Sequence, residues 1–201
     1  MDAEQFREMY AGQAPWDIPG PQPALVAIEE AGKIGVAVLD AGCGTGENAL
    51  FLASRGHKVL GLDYVAEAIE RARAKAALRA IDAEFQEGNA LRLDQLGRTF
   101  DTVIDCGLFH TFDDEERSRY VAGLATVLKA GGTLHFLCFS DEEPPGDGPR
   151  RITRQEIHDS FRDGWQVERI EPSRFDTVIA EGGPRFSPGG PKAWLATVKK
   201  V

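Results

Sequence analysis

Apolar positions along the chain follow two rhythms. Short, nearly continuous apolar runs occur at VAVLD (36–40), HKVLGLD (57–63), FDTVIDCGLF (100–109) and TLHFLCFS (133–140). They predict strands, of which FDTVIDCGLF, with its near-continuous apolar core, fits one buried on both faces, and AEFQEG (83–88) is a further strand. The segments between carry helical spacing: ENALFLASRG (47–56) closed by its glycine, and the alanine-rich VAEAIERARAKAALRA (65–80). Pro23 suits the first turn of a helix running through ALVAIEEAG. Asp113 with Glu116, and Thr153 with Glu156, form capping-box patterns. The first predicts a helix ended by Gly131 and Gly132, and the second a helix through Phe161. NALRLDQLGRT (89–99) reads as a loop, and DEEPPGDGP (141–149) as a polar, mobile one. WQVERIEP and AWLATVKKV predict two late antiparallel strands. Alternation of this kind implies α/β architecture: a doubly wound, Rossmann-like, seven-stranded and mostly parallel sheet with an antiparallel C-terminal strand pair.

The chain has 201 residues, 42% of them hydrophobic, which suits a single domain with a substantial core. Residues 1–22 include the proline-dense APWDIPGPQP and read as an N-terminal lid segment ahead of a core over 23–201. Phe6, Met9 and Tyr10 share one helical face in that segment. A net charge of -9 disfavours nucleic-acid partners. No apolar run is long enough to span a bilayer, and the charged first residues do not read as a secretory signal. A cytoplasmic protein, monomeric or weakly dimeric, is the expectation. Cys43, Cys106 and Cys138 are scattered, with no metal-ligand spacing, and read as packing thiols. His135 reads as structural, and His57 and His158 as surface residues.

In such sheets ligands sit beyond the carboxyl ends of the strands. VLDAGCGTGEN (38–48) places Gly42, Gly44 and Gly46 just after the first strand, behind Asp40. It lacks the lysine and Ser/Thr of a phosphate-gripping P-loop. A carboxylate before the glycines, with Glu47 after them, receives pyrophosphate poorly and suits a ligand with positive charge. Asp63, at the end of the second strand, can accept ribose hydroxyls, whether the ribose belongs to NAD or to S-adenosylmethionine. Asp40 and the alternate glycines favour the second.

VLDAGCGTGENALFLASRGHKVLGLD, EGNALRL, FDTVIDCGLFHTF and LKAGGTLHFLCFS together resemble, in order and spacing, the successive motifs of class I S-adenosylmethionine-dependent methyltransferases. MYAGQAPWDIPGPQPA is similar to the entry segment of the thiopurine, thiol/halide and tellurite-resistance methyltransferases. With CGLFHTF, CFSDEEP, GPRR and GGPKAW, it most resembles the heterocyclic toxin methyltransferase group of mycobacteria. The resemblance implies S-adenosylmethionine as cofactor and S-adenosylhomocysteine as product. It implies that Asp40 and the turn through Gly42, Cys43, Gly44 and Gly46 face the methionine moiety. Asp63 would bind the ribose and Tyr64 would pack near the adenine. The Asn89 side chain and the Ala90 amide would meet the adenine edge. Backbone at Asp105 and Cys106 would lie under the sulfonium, with Trp16 covering the methionine end. Asn89 departs from the family, many members of which have Asp there.

The implied reaction moves a methyl group to O or N of a small aromatic acceptor such as a hydroxyquinolone or phenol, with detoxification as a role. A thiol, halide or tellurite acceptor is the close alternative. An NAD-dependent oxidoreductase or a non-catalytic adenosylmethionine sensor are the alternatives of other classes. Phe6, Tyr10, Phe109, Phe112, Phe139 and Phe186 are the candidate acceptor contacts. His110, just after the fourth strand, is the candidate general base.

Overall fold

The computed structural model describes residues 7–201 except 11, 13, 147 and 179–182. Its strands are β1 Ala37–Ala41, β2 Lys58–Asp63, β3 Glu84–Glu87, β4 Phe100–Cys106, β5 Leu128–Phe139, β6 Trp165–Arg174 and β7 Lys192–Lys200. The helices are α1 Pro23–Glu30, α2 Glu47–Ser54, α3 Ala66–Arg79, α4 Asp114–Val127 and α5 Arg154–Ser160. One sheet runs in the order β3-β2-β1-β4-β5-β7-β6. The first five of these are parallel, and β7 pairs antiparallel with both β5 and β6. This is the doubly wound, Rossmann-like sheet with an antiparallel C-terminal strand pair that the hydrophobic rhythm predicts.

Neighbouring residues of a strand point to opposite faces, so each interior strand feeds two cores. Leu39 of β1 joins Phe100, Tyr120, Leu124, Phe136 and Trp194 on one face. Val38 joins Leu50, Ile69, Phe85 and Ile104 on the other. Both capping boxes form. The Asp113 carboxylate accepts from Glu116 N at 2.8 Å, and Thr153 Oγ1 accepts from Glu156 N at 3.0 Å. Such caps contribute about 1 kcal/mol each.

The local readings fail at three places. The helix opened by Asp113 ends at Val127, four residues before the glycines. β5 starts at once, and Gly131 and Gly132 lie inside its span. There its pairing with β4 jumps from Phe100↔Leu128 to Thr102↔Thr133, so β5 carries surplus residues that bulge out. Gly131, at φ 76°, supplies the turn that the bulge needs. The expected loop after β3 is a 3-10 helix over Ala90–Leu96, because Asn89 caps it. The apolar run FDTVIDCGLF leaves the sheet at Cys106 and turns through a second 3-10 helix, Phe109–Thr111.

Strand order reverses between β1 and β4, and a crevice opens beyond their carboxyl ends. Residues 7–10 form a helical turn, and the chain then crosses this crevice toward α1. The segment after β6 reaches it from the other side. Among the described residues no helix is long and apolar enough to cross a membrane.

Candidate active site

The crevice is a cavity of about 580 Å³, within the range typical of small-molecule sites. Its floor is the glycine turn between β1 and α2. Gly42, Gly44 and Gly46 have φ of 72°, 53° and 88°, the left-handed region that other residues adopt at a cost. The missing side chains are also a packing requirement. A Cβ on Gly44 would lie 2.6 Å from the Tyr10 hydroxyl, and one on Gly46 2.8 Å from the Phe85 ring. Gly42 and Cys43 donate their backbone N–H groups to Leu62 O, which ties the turn to the end of β2.

Carboxylates dominate the β2 side. Asp63 is braced by backbone amides, one oxygen accepting from Gly44 N and the other from Val65 N, both at 2.9 Å. Burial raises it above the usual carboxylate range, and these amides draw it back in part. Asp40 lies deeper, 1% exposed, and neither of its oxygens has a hydrogen-bond partner. Burial, then the charges of Asp105 and Asp63, pushes it up to about 8. A buried carboxylate without a partner is costly to ionise, and positive charge brought near it lowers that cost. Asp40 itself lies behind the lining, not in it; Asp17, Glu47, Asp63 and Asp176 line the cavity, whereas among the described residues no Lys or Arg does. That lining suits a positively charged nucleoside without phosphate, as S-adenosylmethionine is, and opposes pyrophosphate. Tyr64, Ala90 and Cys106 complete this side.

Two predicted cofactor contacts have other duties. Asn89 is exposed, and its side-chain oxygen accepts from Leu91 N at 2.8 Å, capping the 3-10 helix; it does not line the cavity. Asp105 is fully buried and below the cavity wall. Its carboxylate accepts from Leu108 N, Phe109 N and the Tyr120 hydroxyl, and thereby shapes the turn after β4. Burial lifts it to about 6 despite these donors. Cys43 and Cys106 have thiols pushed well up by burial, which fits packing and not nucleophilic attack.

Two crossings roof the cavity. In the first, Trp16 Nε1 donates to the Tyr10 hydroxyl at 3.0 Å, and Arg71 donates to Tyr10 O at 2.8 Å. Thr45 donates its hydroxyl to Asp17, while Lys75 donates to Thr45 Oγ1 at 2.6 Å. In the second, Asp176 and Gln22 exchange a reciprocal pair of bonds at 2.9 and 3.0 Å, and Val178 N donates to Pro15 O at 2.8 Å. The loop 141–149, expected to be mobile, contributes a buried anchor. Glu143 is 2% exposed and accepts from Ser187 N and Lys192 N, holding the turn that follows Phe186.

The β5 side is aromatic. Phe139, Phe175 and Phe186 line it with Leu108, Thr111 and His110. Phe139 packs on Phe175 at 5.3 Å and edge-on to Phe186 at 5.5 Å between ring centroids. Phe109 and Phe112, expected here, point into the core instead. Phe109 is fully buried against Phe136 and Phe161, and Phe112 packs on Tyr120. The 3-10 turn reverses their direction. Phe6 lies outside the described residues. His135 is held by Thr197 and the Lys33 carbonyl, as a structural residue. His158 is exposed, but His57 is half-buried against the Gly35 carbonyl.

His110 itself is 7% exposed, and its Nδ1 accepts from Phe139 N at 2.9 Å. Burial and the nearby Arg151 charge hold its imidazole low, to about 3, so the ring is neutral. Gln22, Thr45, Asn48 and Phe175 line the cavity without having been singled out from the sequence. Asn48 accepts from Gln22 N across 26 positions, and Gln22 meets Asp176 across 154. No short motif carries such pairs.

A family model described as a methyltransferase domain matches residues 38–132. A 2-heptyl-1-hydroxyquinolin-4(1H)-one methyltransferase from Mycobacteroides abscessus is 34% identical, covering 91% of this chain and 80% of its own length. A solved structure reported for the conversion of a disulfide bond into a thioacetal group during echinomycin biosynthesis is 36% identical. It superimposes with a TM-score of 0.88 over 98% of this chain and 91% of that one. Magnesium protoporphyrin IX methyltransferase from Synechocystis, solved with bound S-adenosylmethionine, shares the fold at 21% identity and a TM-score of 0.68, over 88% and 76% of the two chains. The family match, the relatives and the acidic cavity beyond β1 and β2 agree: the chain belongs to the S-adenosylmethionine-dependent methyltransferases and takes S-adenosylmethionine as its methyl donor.

Proposed function

We propose that the methyl group goes to an oxygen or nitrogen of a small, flat aromatic heterocycle such as a hydroxyquinolone, or of a phenol. The observation that carries this is the β5 side of the cavity. Phe139, Phe175, Phe186 and Leu108 offer ring faces and apolar surface, and His110 and Thr111 offer polar contact. A flat apolar acceptor buries surface there at about 25 cal/mol per Å². The mycobacterial relative acts on a molecule of this kind by its name. A sulfur acceptor is the second reading, favoured by the relative concerned with a disulfide and a thioacetal.

S-adenosylmethionine supplies a methyl group already activated on a sulfonium, so the protein's task is placement and exclusion of water. Asp63 accepts from the ribose hydroxyls, Tyr64 packs beside the adenine, and the Ala90 amide serves its edge. The Gly42–Gly46 turn receives the methionine end, with the buried Asp40 carboxylate behind it favouring the positively charged group. Cys106 backs the sulfonium. Residues 1–22 act as the lid over the 23–201 core, with Trp16 and Tyr10 closing the donor side.

Methyl transfer from labelled donor to a panel of hydroxyquinolones, phenols, thiols and halides tests the reading. Turnover is expected with N- or O-nucleophilic aromatics and weak with halide. Methylation confined to small thiols overturns it in favour of the sulfur reading.

A further inference from the structure

His110, in the 3-10 turn after β4, is the candidate base, yet its hydrogen bonding gives it the opposite polarity. A backbone N–H can only donate, so the 2.9 Å bond from Phe139 N assigns the lone pair of the neutral ring to Nδ1. The ring proton is then on Nε2. That atom has no hydrogen-bond partner in the described protein and is not sealed from solvent, in a ring that lines the cavity. Nε2 also sits over the Gly107 turn, which lines the cavity, and a Cβ on that glycine would lie 3.7 Å from it. Phe139 and Phe175 pack edge-on against the ring at 5.1 and 5.8 Å and keep it from turning.

We propose that His110 is a fixed N–H donor that binds the acceptor's reacting atom as its conjugate base, so that the enzyme selects acceptors already ionised by water. The proposal deepens the aromatic-acceptor reading and rests on it for the place of the acceptor. It holds equally for an oxide, a thiolate or a deprotonated ring nitrogen. In the step, the acceptor's proton has gone to solvent before binding. The acceptor's electron pair forms the new bond to the methyl carbon while the carbon–sulfur bond breaks and its pair stays on sulfur. The anion and the sulfonium neutralise each other, and no protein group gains or loses a proton.

The surroundings agree with this assignment. Packed against the ring are Phe139 of β5, Phe175 after β6 and the Gly107 turn after β4, while Arg151 of the loop after β5 lies over the Phe139 ring. Arg151 is the charged group whose field reaches the ring, and it resists protonation of the imidazole while favouring an anion nearby. The Asp105 carboxylate is turned away to the Leu108 and Phe109 amides and Tyr120, and the Cys106 thiol is held protonated by burial.

The test combines one readout that needs no acceptor with one that does. In the full chain with 15N-labelled histidine, His110 is expected to keep the Nε2–H pattern from about pH 5 to about pH 8. Titration of the ring within that range overturns the proposal. Across hydroxyquinolones or thiophenols of graded acidity, the inflection in kcat/KM is expected to move with the acceptor's own pKa. An inflection fixed across the series and abolished in His110→Ala establishes a base and overturns it. His110→Ala is expected to lower kcat/KM by about 10- to 100-fold, and His110→Gln, a donor that cannot act as base, to recover most of it. Equal loss in both variants, with both folded by circular dichroism, also overturns it. If only thiols react, the aromatic-heterocycle reading fails while the thiophenol series and the NMR arm still decide the role of His110.

Discussion

The two sides of the cavity are built by different means. On the β2 side, Asp63 is gripped by amides of its own turn and of the glycine turn 19 positions earlier, so the floor there comes from consecutive strand-to-helix connections. On the β5 side, the wall is assembled from the turn after β4, the end of β5, the loop around Gly148 and the crossing after β6. The first arrangement is local in its floor and acidic, its Asp63 carboxylate braced by backbone amides. The second is distant in sequence, aromatic and made of side chains. A ligand common to a whole family can be met by connections that the fold forms in any case. An acceptor particular to one member calls for segments that vary without disturbing the sheet.

The contrast breaks most sharply at Asp63. Asp63→Ala is expected to weaken S-adenosylmethionine binding by about 100-fold, since it removes a charged acceptor and unties the Gly44 amide. Calorimetry on the variant checks this, and little change in acceptor KM at saturating donor confirms that the two sides are separable. A smaller effect is expected from pH. Asp40, Asp105 and Asp63 all have folded pKa values raised above the usual carboxylate value, the first two to about 8 and about 6. The folded chain therefore holds more protons than the unfolded one as pH rises from the unfolded carboxylate range. Stability is full below that range and falls as pH climbs through these values. Donor-free protein is expected to lose about 5 °C in Tm between pH 5 and pH 8. Asp40→Asn flattens the fall, and added donor offsets it, because an ammonium beside Asp40 restores the charged form. The smallest effect tests the link between the sides. Gln22→Ala removes both bonds to Asp176 and is expected to raise acceptor KM about 3-fold with donor affinity nearly unchanged.

The same division separates what could be read in the residues from what could not. The strands, both capping boxes and the glycine turn are local patterns, and the structure reproduces them because each has its physical cause within a few residues. Gly131 and Gly132 misled because glycine after a helical stretch signals both a helix end and a strand bulge, and only the register between β4 and β5 decides. From sequence alone Phe109 and Phe112, which follow a strand end, point to the acceptor. A 3-10 turn set by the buried Asp105 carboxylate turns them inward and leaves His110 at the cavity. Phe175, Gln22 and Glu143 carry no motif, since their partners are tens of positions away or more. His110 was legible as a position but not in polarity, which depends on a single amide of β5.

The contact between Gly44 and Tyr10 has a consequence for which nucleotides can enter at all. In dinucleotide-binding folds the second glycine of the turn is kept bare so that a diphosphate can lie against the backbone. Here that bare surface is taken by the protein's own phenol, 2.6 Å from where a Cβ would sit. With Tyr10 in place the turn has no berth for a diphosphate, and the N-terminal crossing screens out dinucleotides by bulk before charge comes into play.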